Sequence, residues 1–324
     1  MNWQIKVPIP AYEFNISHSD KLFSVGSCFA QHMADKLVHY KFSCNSNPYG
    51  TLFHPIPLLQ NLTNALTSSN IDDELFVESE DAIFHYSCHS SVWANTQDDL
   101  KEQITAILTG VRNDLKQANL IILTFGTAFL YQLISSNQVV ANCHKQPQST
   151  FTKKCSSPNE IASVFTSFYN ELKKINANAT IVLTVSPVRH IRDGVHQNNV
   201  SKSSLILACE AIENTFNDVH YFPAYEIVLD ELRDYRFFDK DRVHLTQEAR
   251  DYVWEKFSVA IVSPNSLQIN KELDQLFSSM NHRAFRAGSS AHQSFLRKTL
   301  AKATHLNNKV NLEKEINVLK RSIQ

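Results

Sequence analysis

The amino-acid sequence predicts an α/β fold in which a doubly wound, mainly parallel sheet is flanked by helices on both faces. Apolar runs without polar alternation, typical of parallel strands buried on both faces, recur at 21–26, 120–125 and 179–188. Between them lie segments with apolar residues at helical spacing. Strands separated by helices of this length are joined by right-handed crossovers, so we expect three layers with the sheet in the middle.

The first half of the chain is predicted to begin with a strand and a helix. An apolar run ends in glycine at 21–26, and apolar residues then recur on one helical face over 28–40. The Asn-, Pro- and Gly-rich stretch "FSCNSNPYGTLFHPIP" favours a second short strand that runs into a long loop. Helical spacing predicts helices at 57–68 and 98–118, and an unbroken apolar run predicts a central strand at 120–125.

The second half repeats this alternation. A Ser-Pro start and a Glu in the first turn predict a helix at 158–176, and an apolar run that closes in Ser-Pro predicts a strand at 179–188. Apolar periodicity predicts a helix at 201–217, a strand with its exit at 218–228 and a last helix at 245–262.

The chain changes character near residue 263. Residues 1–262 are predicted to form one α/β domain with an insertion near 55–100. Residues 263–324 are polar, basic in places and helical in period without any strand, so we expect a C-terminal helical appendage. The appendage is a candidate docking surface for a protein partner or a cover for the site.

Composition excludes several classes of protein. With 324 residues and 43% hydrophobic side chains, the chain can bury a large core. Lys plus Arg (31) nearly balance Asp plus Glu (32), so we expect neither nucleic acid nor a membrane as partner. The first twenty residues lack the basic start and apolar core of a secretory signal, which predicts a cytoplasmic protein.

No metal or organic cofactor is expected from the spacing of ligand residues. The six cysteines are scattered without a CxxC pair, and the 14 histidines include no HExxH.

Candidate catalytic residues lie where the predicted strands end, because ligands of open α/β sheets bind at the carboxyl ends of the strands. Ser27 follows the first strand, and Asp241 and His244 precede the last helix. A hydroxyl, an imidazole and a carboxylate are the components of a Ser-His-Asp hydrolase. The Asp-x-x-His spacing lets a turn bring the Asp241 carboxylate to the His244 ring. Each feature alone is also typical of a helix-capping turn.

Six motifs in order carry a family resemblance: "VGSCFA", "NPYGTLFHP", "LTFGTAFLY", "NCHKQP", "TVSPVRH" and "DRVHLT". Together they resemble the GSCFA-domain family, a branch related to the SGNH (GDSL-like) esterases and acylhydrolases. The resemblance implies a flavodoxin-like three-layer sandwich with Ser27 as nucleophile and Asp241 and His244 as the rest of the triad. It also implies that the N–H groups of Ser27 and Gly50 hold the oxyanion.

The third SGNH block is altered. Gly126-Thr127-Ala128-Phe129 stands where SGNH enzymes have Gly-x-Asn-Asp, so the usual asparagine donor is missing. Loss of one oxyanion donor costs about 100-fold to 1,000-fold in rate, so another group is expected to replace it. The candidates come from the motifs that carry the resemblance, and they are Asn47, Thr127, Asn142 and His144.

The first block leaves two candidate nucleophiles. Aligning Gly-Ser-Cys with Gly-Asp-Ser by its first serine selects Ser27, whereas aligning by the third position selects Cys28. The helical pattern that begins at Phe29 predicts that Cys28 points towards the first turn and packs there, so we predict Ser27. Cys28 remains the alternative.

The resulting prediction is an SGNH-like serine esterase that cleaves a small-molecule or glycan ester. An O-acyl group on a glycan or glycoconjugate is a candidate substrate, and Arg189 and His190 are candidates for binding a substrate carboxylate or phosphate. Two alternatives use the same fold. One is an acyltransferase with the same triad, and the other is a non-catalytic binding module.

Overall fold

The computed structural model describes residues 4–282 and 289–323, and within them five parallel strands form a central sheet. The strands of the chain are β1 (Lys21–Gly26), β2 (Ser43–Ser46), β3 (Phe76–Ser79), β4 (Ala82–His85), β5 (Leu120–Phe125), β6 (Phe129–Leu133), β7 (Val139–Val140), β8 (Phe151–Cys155), β9 (Thr180–Val185) and β10 (Val219–Tyr221). The helices are α1 (Cys28–His39), α2 (Pro55–Leu66), α3 (Gln97–Gln117), α4 (Pro158–Ile175), α5 (Val195–Glu213), α6 (Ala224–Glu226), α7 (Gln247–Ile261), α8 (Pro264–Met280), α9 (Ser290–Leu306) and α10 (Glu313–Ser322). The predicted α/β class is therefore confirmed.

The central sheet has the order β10-β9-β5-β1-β2. The chain runs outwards from β1 to β2, and then returns past β1 to build β5, β9 and β10 on the other side. The direction of winding thus reverses between β1 and β5. In flavodoxin-like sheets such a reversal opens a crevice at the carboxyl ends of the two strands, where ligands bind.

The two faces of the sheet bury different helices. On β5, Ile121 and Leu123 pack in the core that includes α2, α3, α4 and α5. Their neighbours Leu120 and Ile122 point to the opposite core, which includes α1 and α7. This alternation follows from the period of two along a strand, and it produces the three layers.

Several helix ends follow from the local sequence. Ser157 and Glu160 form a reciprocal capping box at the start of α4, as the Ser-Pro signal predicted. Thr246 caps α7, and Ser263 caps α8. The predicted start of α5 at 201 is wrong, because the helix begins at Val195, directly after Gly194.

The predictions missed two small antiparallel sheets and a helical segment. The insertion contains the β3–β4 hairpin, and β6, β7 and β8 form a three-stranded sheet beside the main one. The strand predicted with its exit over 218–228 is extended only in β10. The chain is helical from Ala224 onwards, where α6 is followed by a π-helical turn over Ile227–Leu232.

The C-terminal helices have their own apolar core, which includes Leu273, Leu306 and Leu312. They are also tied to the α/β domain near the end of α1, where Lys41 pairs with Glu315 at 2.6 Å. Across the described ranges, no helix combines the length and apolar character needed to cross a bilayer.

Candidate active site

Asp241 and His244 lie in the turn before α7 and are joined by a hydrogen bond, as predicted. The Asp241 Oδ2 is 2.6 Å from His244 Nδ1, and its Oδ1 accepts the backbone N–H groups of Val243 and His244 at 2.9 and 3.0 Å. The hydrogen bond from His244, followed by those backbone donors, lowers the pKa of Asp241 to about 2. A carboxylate fixed in this way orients the imidazole and leaves its Nε2 free to accept a proton.

A cavity of about 490 Å³ lies against His244. Its walls come from the start of α1, the segment before α2, the chain after β5, the loop after β9 and the turn before α7. We call it the site cavity, and it is lined by Cys28, Phe53, Thr127, Phe129, Tyr131, Lys153, Val188, Arg189, His190, Ile191, Arg192, Asp193, Val243 and His244.

Ser27 does not line the site cavity. Its side chain is buried, and its Oγ has no hydrogen-bond partner among the described residues. Ser27 keeps an extended backbone, with φ −69° and ψ 174°, and it occupies the N-cap of α1 without a side-chain capping bond. The predicted nucleophile therefore makes no hydrogen bond to His244 and does not line the cavity that His244 lines.

Cys28, which was predicted to pack into the helix, lines the site cavity together with His244. It is the first residue of α1, so the turn that buries Ser27 leaves the next side chain at the cavity wall. Burial raises the pKa of the Cys28 thiol. The backbone N–H groups of Phe29 and Cys28 and the charge of Lys202 oppose that rise without cancelling it. The thiol thus needs a base to become nucleophilic.

Lys202 was not among the predicted site residues. Its side chain is buried on α5, and its Nζ donates to the carbonyl of Gly126 at 2.6 Å and to that of Ser186 at 2.7 Å. It thereby ties together the chain just after β5 and the chain just after β9. Burial lowers its pKa to about 7. The sequence contained one sign that Lys202 is buried, because it lies on the same face of α5 as the buried residues Leu205 and Cys209.

The two predicted backbone donors of the oxyanion hole are already engaged. The Ser27 N–H donates to the Thr124 carbonyl at 3.1 Å, and the Gly50 N–H donates to the Asn47 carbonyl at 2.8 Å. Gly50 is also absent from the residues that line the site cavity. The expected arrangement of these donors is therefore wrong in this structure, because the Ser27 N–H bonds across to β5 at the end of β1 and the Gly50 N–H closes a turn after β2.

Three of the four candidates for the missing asparagine lie outside the site cavity. The Asn47 side chain accepts the Gly26 N–H at 2.9 Å. The buried His144 ring contacts Ser90 Oγ through Nδ1 and the His85 carbonyl through Nε2. Asn142 accepts the His144 N–H at 2.9 Å, so all three are held in structural hydrogen bonds.

Thr127 is the fourth candidate and does line the site cavity. Its hydroxyl accepts the Phe129 N–H at 3.1 Å and lies 3.1 Å from Ser201 Oγ. Because this hydroxyl already has two hydrogen-bonding partners, it is poorly suited to donate a hydrogen bond to a developing oxyanion.

Arg189 and His190, which the sequence predicted as substrate-binding residues, both line the site cavity. The Nε2 of His190 is buried and has no hydrogen-bond partner within the described residues. Burial, and then the charge of Lys202, lowers the pKa of His190 to about 4, so the ring is neutral at pH 7. Glycine at position 126 leaves room for the His190 ring, since a Cβ there would lie 3.3 Å from His190 Nε2.

Comparison with family models gives two matches along the chain. The model of the GSCFA family matches residues 21–257, and the model of the GSCFA domain protein, C-terminal domain, matches residues 273–324. No match was found among curated proteins. The first match alone spans most of the chain, from β1 to α7, and includes Cys28, His190, Asp241 and His244. The chain therefore belongs to the GSCFA family.

Proposed function

We propose that this protein is a cysteine-dependent acyl hydrolase or acyltransferase that acts on an ester, with Cys28 as nucleophile. The observation that carries the proposal is that Cys28 and His244 line one cavity, and that Asp241 is hydrogen-bonded to the ring of His244. That cavity lies at the carboxyl edge of the sheet, where flavodoxin-like folds bind their ligands. The resemblance to SGNH esterases supports the same reaction class.

The reaction would proceed through a thioester. The Nε2 of His244 takes the proton of the Cys28 thiol, and the thiolate attacks the acyl carbon. The tetrahedral intermediate collapses, the C–O bond breaks, and His244 returns the proton to the departing alcohol. Water or an acceptor hydroxyl, deprotonated by His244, then attacks the thioester and releases Cys28. Asp241 orients the ring throughout and stabilises its charged form.

His190 is the group we assign to the oxyanion. A neutral imidazole with its proton on Nε2 can donate a hydrogen bond, and this atom lacks a partner in the described part of the chain. Leaving a buried polar atom unpaired costs about 1 to 3 kcal/mol. A substrate oxyanion would relieve that cost, and most fully in the transition state.

The acceptor distinguishes hydrolysis from transfer. An O-acyl group on a glycan or glycoconjugate remains our candidate substrate, and a sugar hydroxyl in place of water would make the enzyme a transferase. We place the protein in the cytoplasm as part of the proposal. Its six cysteines are unpaired thiols, which suits a reducing compartment.

A competing function is that of a non-catalytic binding module. The engagement of the Ser27 and Gly50 N–H groups favours it, because these are the donors that the SGNH resemblance assigns to the oxyanion. A module of this kind would bind an ester without forming an acyl-enzyme.

Intact-mass spectrometry after mixing with an aryl acetate separates the two functions. We expect one acetyl adduct on Cys28, lost in Cys28→Ala and strongly slowed in His244→Ala. Cys44→Ala is the matched control, because burial raises the pKa of this thiol on β2 to about 12. A folded protein that gains no adduct would support the binding module. Product analysis with a sugar acceptor then separates hydrolysis from transfer.

A further inference from the structure

Arg189 lies in the wall between the site cavity and a second cavity of about 600 Å³. The second cavity is formed by the first half of α5 and by the helical segment after β10. Its lining includes Asn199, Lys202, Tyr225, Leu229, Arg233 and Phe238. Since Arg189 lines both cavities, a ligand at Cys28 has room to extend past the guanidinium.

Two aromatic rings hold the Arg189 guanidinium. Its central carbon lies 4.3 Å from the ring centroid of Phe238 and 5.2 Å from that of Tyr235. Stacking of this kind fixes the plane of the guanidinium while its N–H edge stays available for hydrogen bonds. The edge of a fixed guanidinium matches the two oxygens of a carboxylate or phosphate.

The charge of Arg189 is not neutralised by a nearby acid. Within residues 4–282 and 289–323, no carboxylate forms an ion pair with it. Each of the two acidic residues that line the second cavity forms an ion pair with another arginine. Asp230 pairs with Arg233 at 3.6 Å, and Asp234 pairs with Arg236 at 3.7 Å.

The remaining charged residues of the site cavity also leave an excess of positive charge. Asp193 is paired with Lys153, and Arg192 adds a second cation at the exposed rim. Lys202 lines the second cavity and not the site cavity, and its Nζ donates to two carbonyls. The site cavity is therefore a positive enclosure, although the whole chain carries a formal net charge of −1.

We propose that the substrate of this site carries an oxyanion, a carboxylate or a phosphate, which Arg189 binds while the reacting carbonyl lies at Cys28. The proposal rests on the proposed function, because it describes the ester that Cys28 would attack. The part of the substrate beyond the oxyanion extends into the second cavity.

Alkylation of Cys28 by two reagents of similar size and different charge tests the proposal. Iodoacetate is an anion, whereas iodoacetamide is neutral, and peptide mass spectrometry reports the rate at Cys28 separately from the other cysteines. Dividing the two rates cancels changes in thiol reactivity. An exposed charge-assisted contact corresponds to about a 5-fold change, so we expect the iodoacetate-to-iodoacetamide ratio to fall by about that factor in Arg189→Gln.

Arg236→Gln is the matched control. It removes the same charge from an arginine that lines neither cavity and already pairs with Asp234. We expect its ratio to equal that of the wild type. An unchanged ratio in Arg189→Gln, or an equal fall in both variants, would overturn the proposal, since the second result indicates only a general surface potential.

Calorimetry with inorganic phosphate and with succinate provides a readout that needs no reactive thiol. Binding of either anion to the wild type that is lost in Arg189→Gln supports the anion site, and the anion that binds more tightly identifies its source. If neither anion binds, the anion site is contradicted. If an anion binds while Cys28 resists both alkylating reagents, the anion site stands and the proposed function fails.

Discussion

Replacing Ser27 with alanine distinguishes the two candidate nucleophiles and also tests how the first turn is built. An N-cap serine normally contributes about 1 kcal/mol through the hydrogen bond of its side chain to the helix. Ser27 makes no such bond, and its Oγ is buried without a partner among the residues that the structure describes. Burying an unpaired hydroxyl costs about 1 to 3 kcal/mol.

These terms predict that Ser27→Ala does not destabilise the protein. No capping bond is lost, and an unpaired polar atom is removed, so the free energy of unfolding should stay the same or rise by about 1 kcal/mol. Urea denaturation followed by tryptophan fluorescence measures this difference. The measurement is informative because most substitutions of buried residues lower the free energy of unfolding.

The activity of the same variants completes the test. Ser27→Ala should turn over an aryl acetate at close to the wild-type rate, whereas Cys28→Ala should lose at least about 1,000-fold, as expected when a nucleophile is removed. If Ser27→Ala loses turnover and Cys28→Ala keeps it, the serine is the nucleophile and the assignment to Cys28 is refuted. A loss of more than about 1 kcal/mol in Ser27→Ala would show that its hydroxyl is hydrogen-bonded.

Three further predictions concern the groups around Cys28. Asp241→Asn should slow turnover by about 100-fold to 10,000-fold with little change in melting temperature, because the exposed carboxylate orients His244, and steady-state rates with thermal melts check it. Burial lowers the pKa of Lys202 from 10.5 to about 7, so between these values the unfolded chain binds more protons. The free energy of unfolding should then rise with pH by up to about 1.4 kcal/mol per unit, and urea denaturation from pH 7 to 9 should show that added slope in the wild type but not in Lys202→Met. Gly126→Ala should lower both stability and kcat, because its Cβ would crowd the Phe53 carbonyl oxygen at 3.1 Å as well as His190 Nε2 at 3.3 Å, and a loss of stability without a change in kcat would argue against the oxyanion role.

The parallel sheet could be predicted because its signal is local. The run at 120–125 is apolar without interruption, and β5 begins and ends at those residues. The small antiparallel strands carry no such signal. The β3 strand, Phe76–Ser79, has half-buried and exposed residues, and the two-residue β7 is shorter than any pattern can show. Their pairing depends on contacts made only in the folded chain.

In the site, too, the features that could be predicted are local in sequence, and those that could not depend on contacts between distant parts of the chain. The contact between Asp241 and His244 joins residues three apart, so their spacing alone predicted it. The partners of the Ser27 and Gly50 N–H groups are carbonyls selected by the strand ends, which composition and motifs do not reveal. Lys202 reaches the site from α5, and its role follows from a helical face that buries it among apolar residues.

The direction of the side chains in Gly-Ser-Cys follows from the approach of β1 to β5. Gly26 has φ +139°, and a Cβ there would lie 2.1 Å from the Thr124 carbonyl oxygen, so only glycine allows the two strands to stay this close. The same carbonyl accepts the Ser27 N–H, which keeps Ser27 extended and its side chain inside the protein. The helix then begins one residue later and brings Cys28 to the site cavity. A side chain larger than serine at position 27 would have to displace the buried contacts around it, because Ser27 is only 1% exposed. The order glycine, small residue, thiol is thus the one in which the strand contact itself places Cys28 at the wall of the site cavity, which His244 also lines.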